Sequence, residues 1–318
     1  MEQQKQMRNP ALDVIRIFAF FSVVSVHFFL NSGYYETTIL GAELYIATLF
    51  RSFFMICVPL YMLLTGYLMH NKKASRQYYG KLCPIVGEYI LASFFCMASR
   101  AIYTGRTPAA FLTEFFLQIP GIFSFEAAPY SWYVEMYIGL FLLIPYLNIL
   151  YNNLEGKEKK GRFIFTLLLL SGIPEILNSV SFFAPWKFTY NDPAQILTVF
   201  PDWWSNIYPI LYYFIGAYLS EYPLKLSKIK AVAILILANI SVATISYINS
   251  LGTNFIVGPW QRHQSFYVVI QAVMVFHIIL QMDFCQVSMT VKKYFLLCLA
   301  CVFWLSWFLM YMTRFFTK

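Results

Sequence analysis

Long apolar runs alternate with short basic clusters from one end of this chain to the other. Nine runs can be read, at residues 11–30, 45–69, 84–103, 133–150, 163–180, 207–219, 229–247, 266–281 and 294–312. Most approach the roughly 20 residues a helix needs to cross a hydrocarbon core, range about 17–25, while 207–219 and 266–281 are short. The composition leaves little alternative: 59% of residues are hydrophobic and 12% are charged, where a soluble domain carries about 25% charged residues. A soluble protein of 318 residues could not cover its surface with so few charges. Phe and Tyr are abundant (32 and 24) and Gly and Pro modest (14 each), which excludes collagen-like, low-complexity and disordered classes. The expected fold is an all-α polytopic transmembrane bundle of nine to ten helices. It would form one integral-membrane domain over 1–318, with no separate soluble domain.

The net charge of +8 raises the prospect of a nucleic-acid partner, and the placement of the charges removes it. Of 23 Lys and Arg residues, 15 fall in five clusters. These are Lys5 and Arg8; Lys72, Lys73, Arg76 and Lys81; Lys157, Lys159, Lys160 and Arg162; Lys225, Lys228 and Lys230; Lys292 and Lys293. Two apolar runs separate each cluster from the next, so all five lie on one side of the bilayer, the cytoplasmic side by the positive-inside rule. The N-terminus is then cytoplasmic, and nine spans leave the C-terminus outside. The opposite side keeps only Arg51, Arg100, Arg106, Lys187, Arg262, Arg314 and Lys318. The first run lacks a small-residue cleavage site and carries Asp13 and Arg16, so it does not read as a cleavable signal peptide. The six cysteines lie in or beside apolar runs, which argues against a disulfide framework, and no metal-ligand pattern is present. Cys298 and Cys301 read as packing.

The loops away from the basic clusters are rich in aromatics: Phe111, Phe115 and Phe116, then Trp132, then Trp186, Trp203 and Trp204, and later Trp260 beside Arg262 and His263. Two readings stand. Trp and Tyr collect at membrane interfaces because they are amphipathic; an indole face also suits the apolar face of a sugar ring. Glu135, beside Trp132, either supports substrate binding or an acid/base step, or simply sits at the wet helix end, and Glu175 reads the same way. His277 reads as structural.

The first run holds three polar groups: Asp13, Arg16 and His27. A charge in a span costs about 2.5–3.5 kcal/mol on insertion scales and is by default a functional hypothesis. Asp13 and Arg16 are three apart and can pair on one helix face. Arg16 and His27 are eleven apart, about three turns, so they differ by only ~20° in direction and lie roughly 16 Å apart along the axis. Phe20 and Val23 lie between them on that stripe. Such a stripe can hold an anionic group on Arg16 and accept a proton on His27. It equally suits substrate binding or proton coupling in a transporter. In the plainest reading Arg16 snorkels with Asp13 and His27 bonds a carbonyl.

The segment from Arg8 through Leu12, Asp13 and Arg16 to His27 resembles the opening of the acyltransferase family 3 membrane proteins, with its Leu-Asp-x-x-Arg segment and Arg-x10-His spacing. Three further segments follow in the family's order: RSFFMICVPLYMLLTGYLM at 51–69, SWYVEMYIGLFLLIPYLN at 131–148, and YPILYYFIGAYL at 208–219. The resemblance implies a bacterial plasma-membrane enzyme that moves an acyl group, usually acetyl, from cytoplasmic acetyl-CoA to a hydroxyl of a cell-surface glycan or polysaccharide. Its partners would be acyl-CoA, the glycan acceptor and the lipid bilayer, with no bound cofactor and no metal. A transporter or flippase-like protein that keeps the frame without acyl transfer is the alternative.

On this resemblance His27 is the general base or the acyl-carrying nucleophile, Arg16 holds donor phosphate or stabilises the oxyanion, and Asp13 orients Arg16. Lys72, Lys73, Arg76 and Lys81 would face the donor, and Trp132, Glu135, Trp203 and Trp204 the acceptor. The chain departs from the family at its Arg-x-x-Arg position, where Lys81-Leu82-Cys83-Pro84 stands and the bidentate fork of arginine is lost. The family's late Ile-Tyr-x-x-His helix is not recognisable after Asp283.

Overall fold

A computed structural model describes residues 9–104, 108–128, 130–175 and 202–283. Side chains at 103, 104, 108, 110, 111, 114, 202 and 203 are outside that description. Helix α1, Pro10–Asn31, starts where its sequence dictates. The Asn9 side chain accepts from the Ala11 amide at 3.0 Å, and Pro10 fills a first-turn position that has no use for an N–H.

The second apolar run folds as two helices, α2 at Gly41–Phe54 and α3 at Cys57–Met69, rather than one. Pro59 causes the break: it lacks an amide hydrogen, and its ring excludes the carbonyl of Met55 four residues earlier. The freed Met55 carbonyl faces the Nδ1 of His263 at 3.1 Å, which supplies the missing bond.

Short α4 (Arg76–Gly80) is capped by the Ser75 hydroxyl and leads into α5 (Leu82–Thr104). After α6 (Pro108–Leu117) and α7 (Pro120–Phe123) comes α8 (Trp132–Asn153). Pro145 sits inside α8 and frees the Phe141 carbonyl by the same geometry. That carbonyl accepts from the Tyr78 hydroxyl at 2.6 Å, with the two rings stacked at 4.4 Å. The chain continues through α9 (Gly156–Ser171), α10 (Asp202–Ser205), α11 (Tyr208–Glu221), α12 (Lys228–Ser250) and α13 (Phe266–Leu280). Among the described residues there is no strand, only isolated bridges at Thr38–Asn254 and Ile39–Leu251.

Among the described residues, six segments are long and apolar enough to cross a membrane: Pro10–Asn31, Gly41–Met69, Arg76–Ile102, Trp132–Asn153, Lys228–Ser250 and Pro259–Leu280. The protein is a multi-pass membrane protein with an all-helical frame. The sixth expected span appears as α11, a helix of 14 residues; of the fifth, 163–180, residues 163–171 lie in α9 and 176–180 fall outside the described residues. The ninth, 294–312, lies outside the described residues.

The helices form two compact units, Met1–Leu68 with Lys157–Lys318, and Met69–Gly156. The larger unit buries Ile15, Leu60, Leu63, Tyr212, Tyr213, Phe214 and Phe276 completely. Helices α3 and α11 approach closely where Gly66 faces the Tyr213 backbone and Gly216 faces the Leu63 backbone. Lys160 at the start of α9 pairs with Glu221 at the end of α11 at 2.6 Å. In the smaller unit, the Tyr89 hydroxyl donates to the Ile122 carbonyl at 2.8 Å and ties α5 to α7.

Candidate active site

The Asp13–Arg16 pair forms as its spacing requires, with Arg16 Nη1 donating to Asp13 Oδ1 at 2.6 Å. The residue Asp13 is buried, while Arg16 is half-buried and keeps 38% of its side chain accessible. A carboxylate held this way fixes one side of the guanidinium and leaves donors on the other. Arg16, Phe20, Val23 and His27 are all half-buried along one flank of α1, beside the fully buried row of Ile15, Ala19 and Ser22. The stripe is therefore neither sealed in the core nor open to lipid along its length. The helix is also closed behind His27: the Asn31 amide nitrogen donates to the His27 carbonyl at 2.7 Å.

In the smaller unit the second basic cluster folds into a pocket of about 410 Å³, lined by Asn71, Lys72, Lys73, Ser75, Gln77, Tyr78 and Lys81. Its rim is fixed from α8. The Asn148 amide nitrogen donates to the carbonyls of Met69 at 2.8 Å and Lys72 at 2.7 Å, and Tyr78 is anchored on Phe141. Of the four expected donor-side cations, all exposed, Lys72, Lys73 and Lys81 line the pocket and Arg76 does not. Three ammonium groups around a concave polar surface suit an anion rich in phosphate, each as a point charge rather than a fork.

The expected acceptor-side residues are more dispersed. Trp132 is exposed at the start of α8, its ring edge-on to Tyr133 at 6.3 Å, and Glu135 is exposed in the same first turn. Trp204 is half-buried in α10 of the larger unit, and the side chain of Trp203 lies outside the described residues. Glu175 is buried, and its Oε1 accepts from the Gln264 amide at 3.3 Å. His277 faces the Leu226 carbonyl at 3.0 Å, the structural role its position suggests. Among the described residues no three His, Cys, Asp or Glu side chains gather as a metal site requires.

Arg51 is the group whose importance sequence reasoning missed, because it was counted only as a residual charge on the side with few cations. It is 3% exposed on the last turn of α2. Its Nε donates to the Tyr35 hydroxyl at 3.0 Å and its Nη1 to Gln261 Oε1 at 2.5 Å. The guanidinium carbon also lies 5.7 Å from the Tyr35 ring centre and 5.1 Å from that of Phe255. No carboxylate among the described residues pairs with it. A desolvated cation–π contact contributes about 2 kcal/mol, against an effective cost of several kcal/mol for a buried ion. A lone cation nearly two turns inside an apolar run is the sequence signal that could have exposed it. The same cap over α2 buries Tyr34, whose hydroxyl pairs with Thr48 at 2.7 Å. Burial pushes the Tyr34 phenol up to about 12, against the opposing pull of that hydrogen bond and of the Arg51 charge.

Comparison with known proteins returns no match among curated proteins and none among solved structures. A family model, the acyltransferase domain of the type 3 membrane proteins, matches residues 9–308.

Proposed function

This chain belongs to the acyltransferase 3 family and is a membrane acyltransferase, and from that premise we propose that it is an O-acyltransferase of a bacterial cell-surface glycan. The donor is acyl-CoA, with acetyl as the group moved, and the acceptor is a sugar hydroxyl. The basic clusters mark the cytoplasmic face, and the N-terminus lies there in the plasma membrane.

The observation that carries this reading is the α1 stripe: an arginine held by Asp13 at 2.6 Å on the same half-buried flank as His27. Acyl transfer from a thioester to a hydroxyl needs two things from the protein. The attacking oxygen must lose its proton, and the carbonyl oxygen must be stabilised as negative charge develops on it. A neutral imidazole supplies the first. His27 takes the hydroxyl proton as the new C–O bond forms, and the C–S bond then breaks to release the CoA thiolate, which the imidazolium reprotonates. In a covalent route His27 first accepts the acyl group and then hands it to the acceptor. Arg16, with one edge satisfied by Asp13, offers its remaining donors to the oxyanion or to a donor phosphate.

The Lys72–Lys73–Lys81 pocket holds the phosphates of CoA. Its reach across three ammonium groups matches a ligand with several phosphate charges, and Asn148 and Tyr78 hold its backbone in place before the ligand arrives. Trp132 and Glu135 in the smaller unit, and Trp204 in the larger, are each read as acceptor-side groups.

The test is acetyl-CoA turnover by purified protein with and without an O-acetylatable surface glycan. Turnover that His27→Ala abolishes, with the protein still folded, supports the reading. Undiminished turnover in His27→Ala, or none in the native protein, refutes it.

A further inference from the structure

We propose that Arg51 and Gln261 form a binding site for an oxyanion carried by the acceptor, so that the sugar acylated is an acidic one, bearing a carboxylate or a phosphate. The proposal rests on the acyl-transfer reading for the word acceptor, and on the geometry alone for the anion.

The donors at this place outnumber their acceptors. A guanidinium has only N–H donors, so the oxygen of the Gln261 amide must face Arg51, which turns the amide nitrogen the other way. That nitrogen is buried on a residue 1% exposed and donates to no described group. Arg51 spends Nε on Tyr35 and Nη1 on Gln261, both neutral oxygens, so its charge has no anionic partner among the described residues. A buried positive charge without an anionic partner, beside one buried unmet donor, suits a negatively charged oxygen pair, which Arg meets with two parallel bonds.

The surroundings are built rather than incidental. The indole nitrogen of Trp260 donates to Ser246 at 2.9 Å and fixes the turn Pro259–Gln261 that presents Gln261. Tyr35 is set in the turn Tyr34–Glu36, and Phe255 packs on both Tyr34 and Tyr35 at 4.9 and 5.3 Å. The cover comes from two loops joined by backbone bonds, Ile39 to Thr253 at 2.8 Å and Gly252 to Ile39 at 3.0 Å, and by a buried cluster of Tyr34, Ile39 and Phe255. Apolar contacts of Phe53 with Phe18 at 6.0 Å and Phe54 with Phe21 at 5.6 Å set the level of α2 against α1. Arg51, about a turn nearer the loop end, lies in depth between Arg16 and His27, toward the side away from the basic clusters, from which a surface glycan would arrive.

Thermal unfolding of the full chain in detergent tests this without using acyl transfer. Glucuronate and glucose 6-phosphate are the acidic probes and glucose the neutral one. At a hundredfold excess over its Kd, a bound probe raises the unfolding midpoint by about 5 °C. The site requires that shift from at least one acidic probe, none from glucose, and its loss in Arg51→Gln; the probe that works tells carboxylate from phosphate. Gln261→Glu supplies the missing anion from the chain itself, so its unliganded midpoint rises above that of the native protein and its response to the probes is lost. No shift with either acidic probe, an equal shift in Arg51→Gln, or a lowered midpoint in Gln261→Glu each overturns the site. Probe binding with no acetyl-CoA turnover would instead leave the site standing and remove the acyl-transfer reading.

Discussion

Substituting alanine for Gly66 or Gly216 is the sharpest test of how the larger unit is assembled. A methyl group at 66 would stand 1.8 Å from the Tyr213 carbonyl oxygen and 2.7 Å from its carbon, and one at 216 would stand 2.0 Å from the Leu63 oxygen. Both obstacles are backbone, which cannot rotate away, so α3 and α11 must separate. An ordinary carbon–oxygen contact begins near 3.3 Å, which requires a shift of roughly 1.5 Å over the crossing. That movement loosens a fully packed layer containing Leu60, Leu63, Tyr212 and Phe214. Overpacking costs about 1–3 kcal/mol in general. A clash with no side-chain escape belongs at the upper end, about 3 kcal/mol, or about 6 °C in unfolding midpoint for a chain of this size. One separation makes room for both methyl groups, so the double variant should cost far less than the two singles together, about 3–4 kcal/mol in place of about 6. Thermal unfolding of the two singles and the double in detergent reads all three values. Singles that unfold at the native midpoint, or a double whose loss equals the sum, would refute the crossing as described.

Four further outcomes follow from the sites. His27→Ala should reduce acyl transfer by about 10²–10⁴-fold while leaving the unfolding midpoint near native. Arg16→Lys keeps the charge but not the fork, and should lower turnover while Asp13→Asn, which removes the anchor of Arg16, lowers it in the same sense; steady-state kinetics on acetyl-CoA measure both. Replacing Lys72, Lys73 and Lys81 together by Gln should raise KM for acyl-CoA more than it lowers kcat and flatten the salt dependence of KM. Tyr78→Phe should cost about 1–3 kcal/mol, because the Phe141 carbonyl freed by Pro145 loses its donor, and Pro145→Ala, which restores a helical N–H, should cancel most of that loss in a double-mutant cycle.

Much of this protein was legible before any coordinates. Apolar run lengths and the placement of Lys and Arg are one-dimensional quantities that the bilayer reads directly, so helix class and repeated membrane crossing followed from them. The Asp13–Arg16 pair and the Arg16–His27 stripe were equally accessible, because both depend on positions within one helix and on its 3.6-residue period. Proline breaks lie between the two cases. Pro59 and Pro145 each announce a freed carbonyl, but α8 runs through Pro145 while the α2–α3 run divides at Pro59. Which result occurs depends on the packing around each, and the donor that answers comes from elsewhere in the chain: Tyr78 for Phe141, His263 for Met55.

The sequence alone therefore determined that the chain crosses a membrane as helices, and that its first helix carries a cation and an imidazole on one flank. Only the tertiary structure decided which charges are solvated and which are committed. It gathered Lys72, Lys73 and Lys81 around one pocket and left Arg76 out of it, bound Lys160 to Glu221, and buried Arg51 against Gln261, 210 residues away. The physical reason is that a charge in a low-dielectric interior is governed by its nearest neighbours in space. Periodicity along the chain specifies the face a residue occupies, and the partner on that face is specified only when distant segments pack.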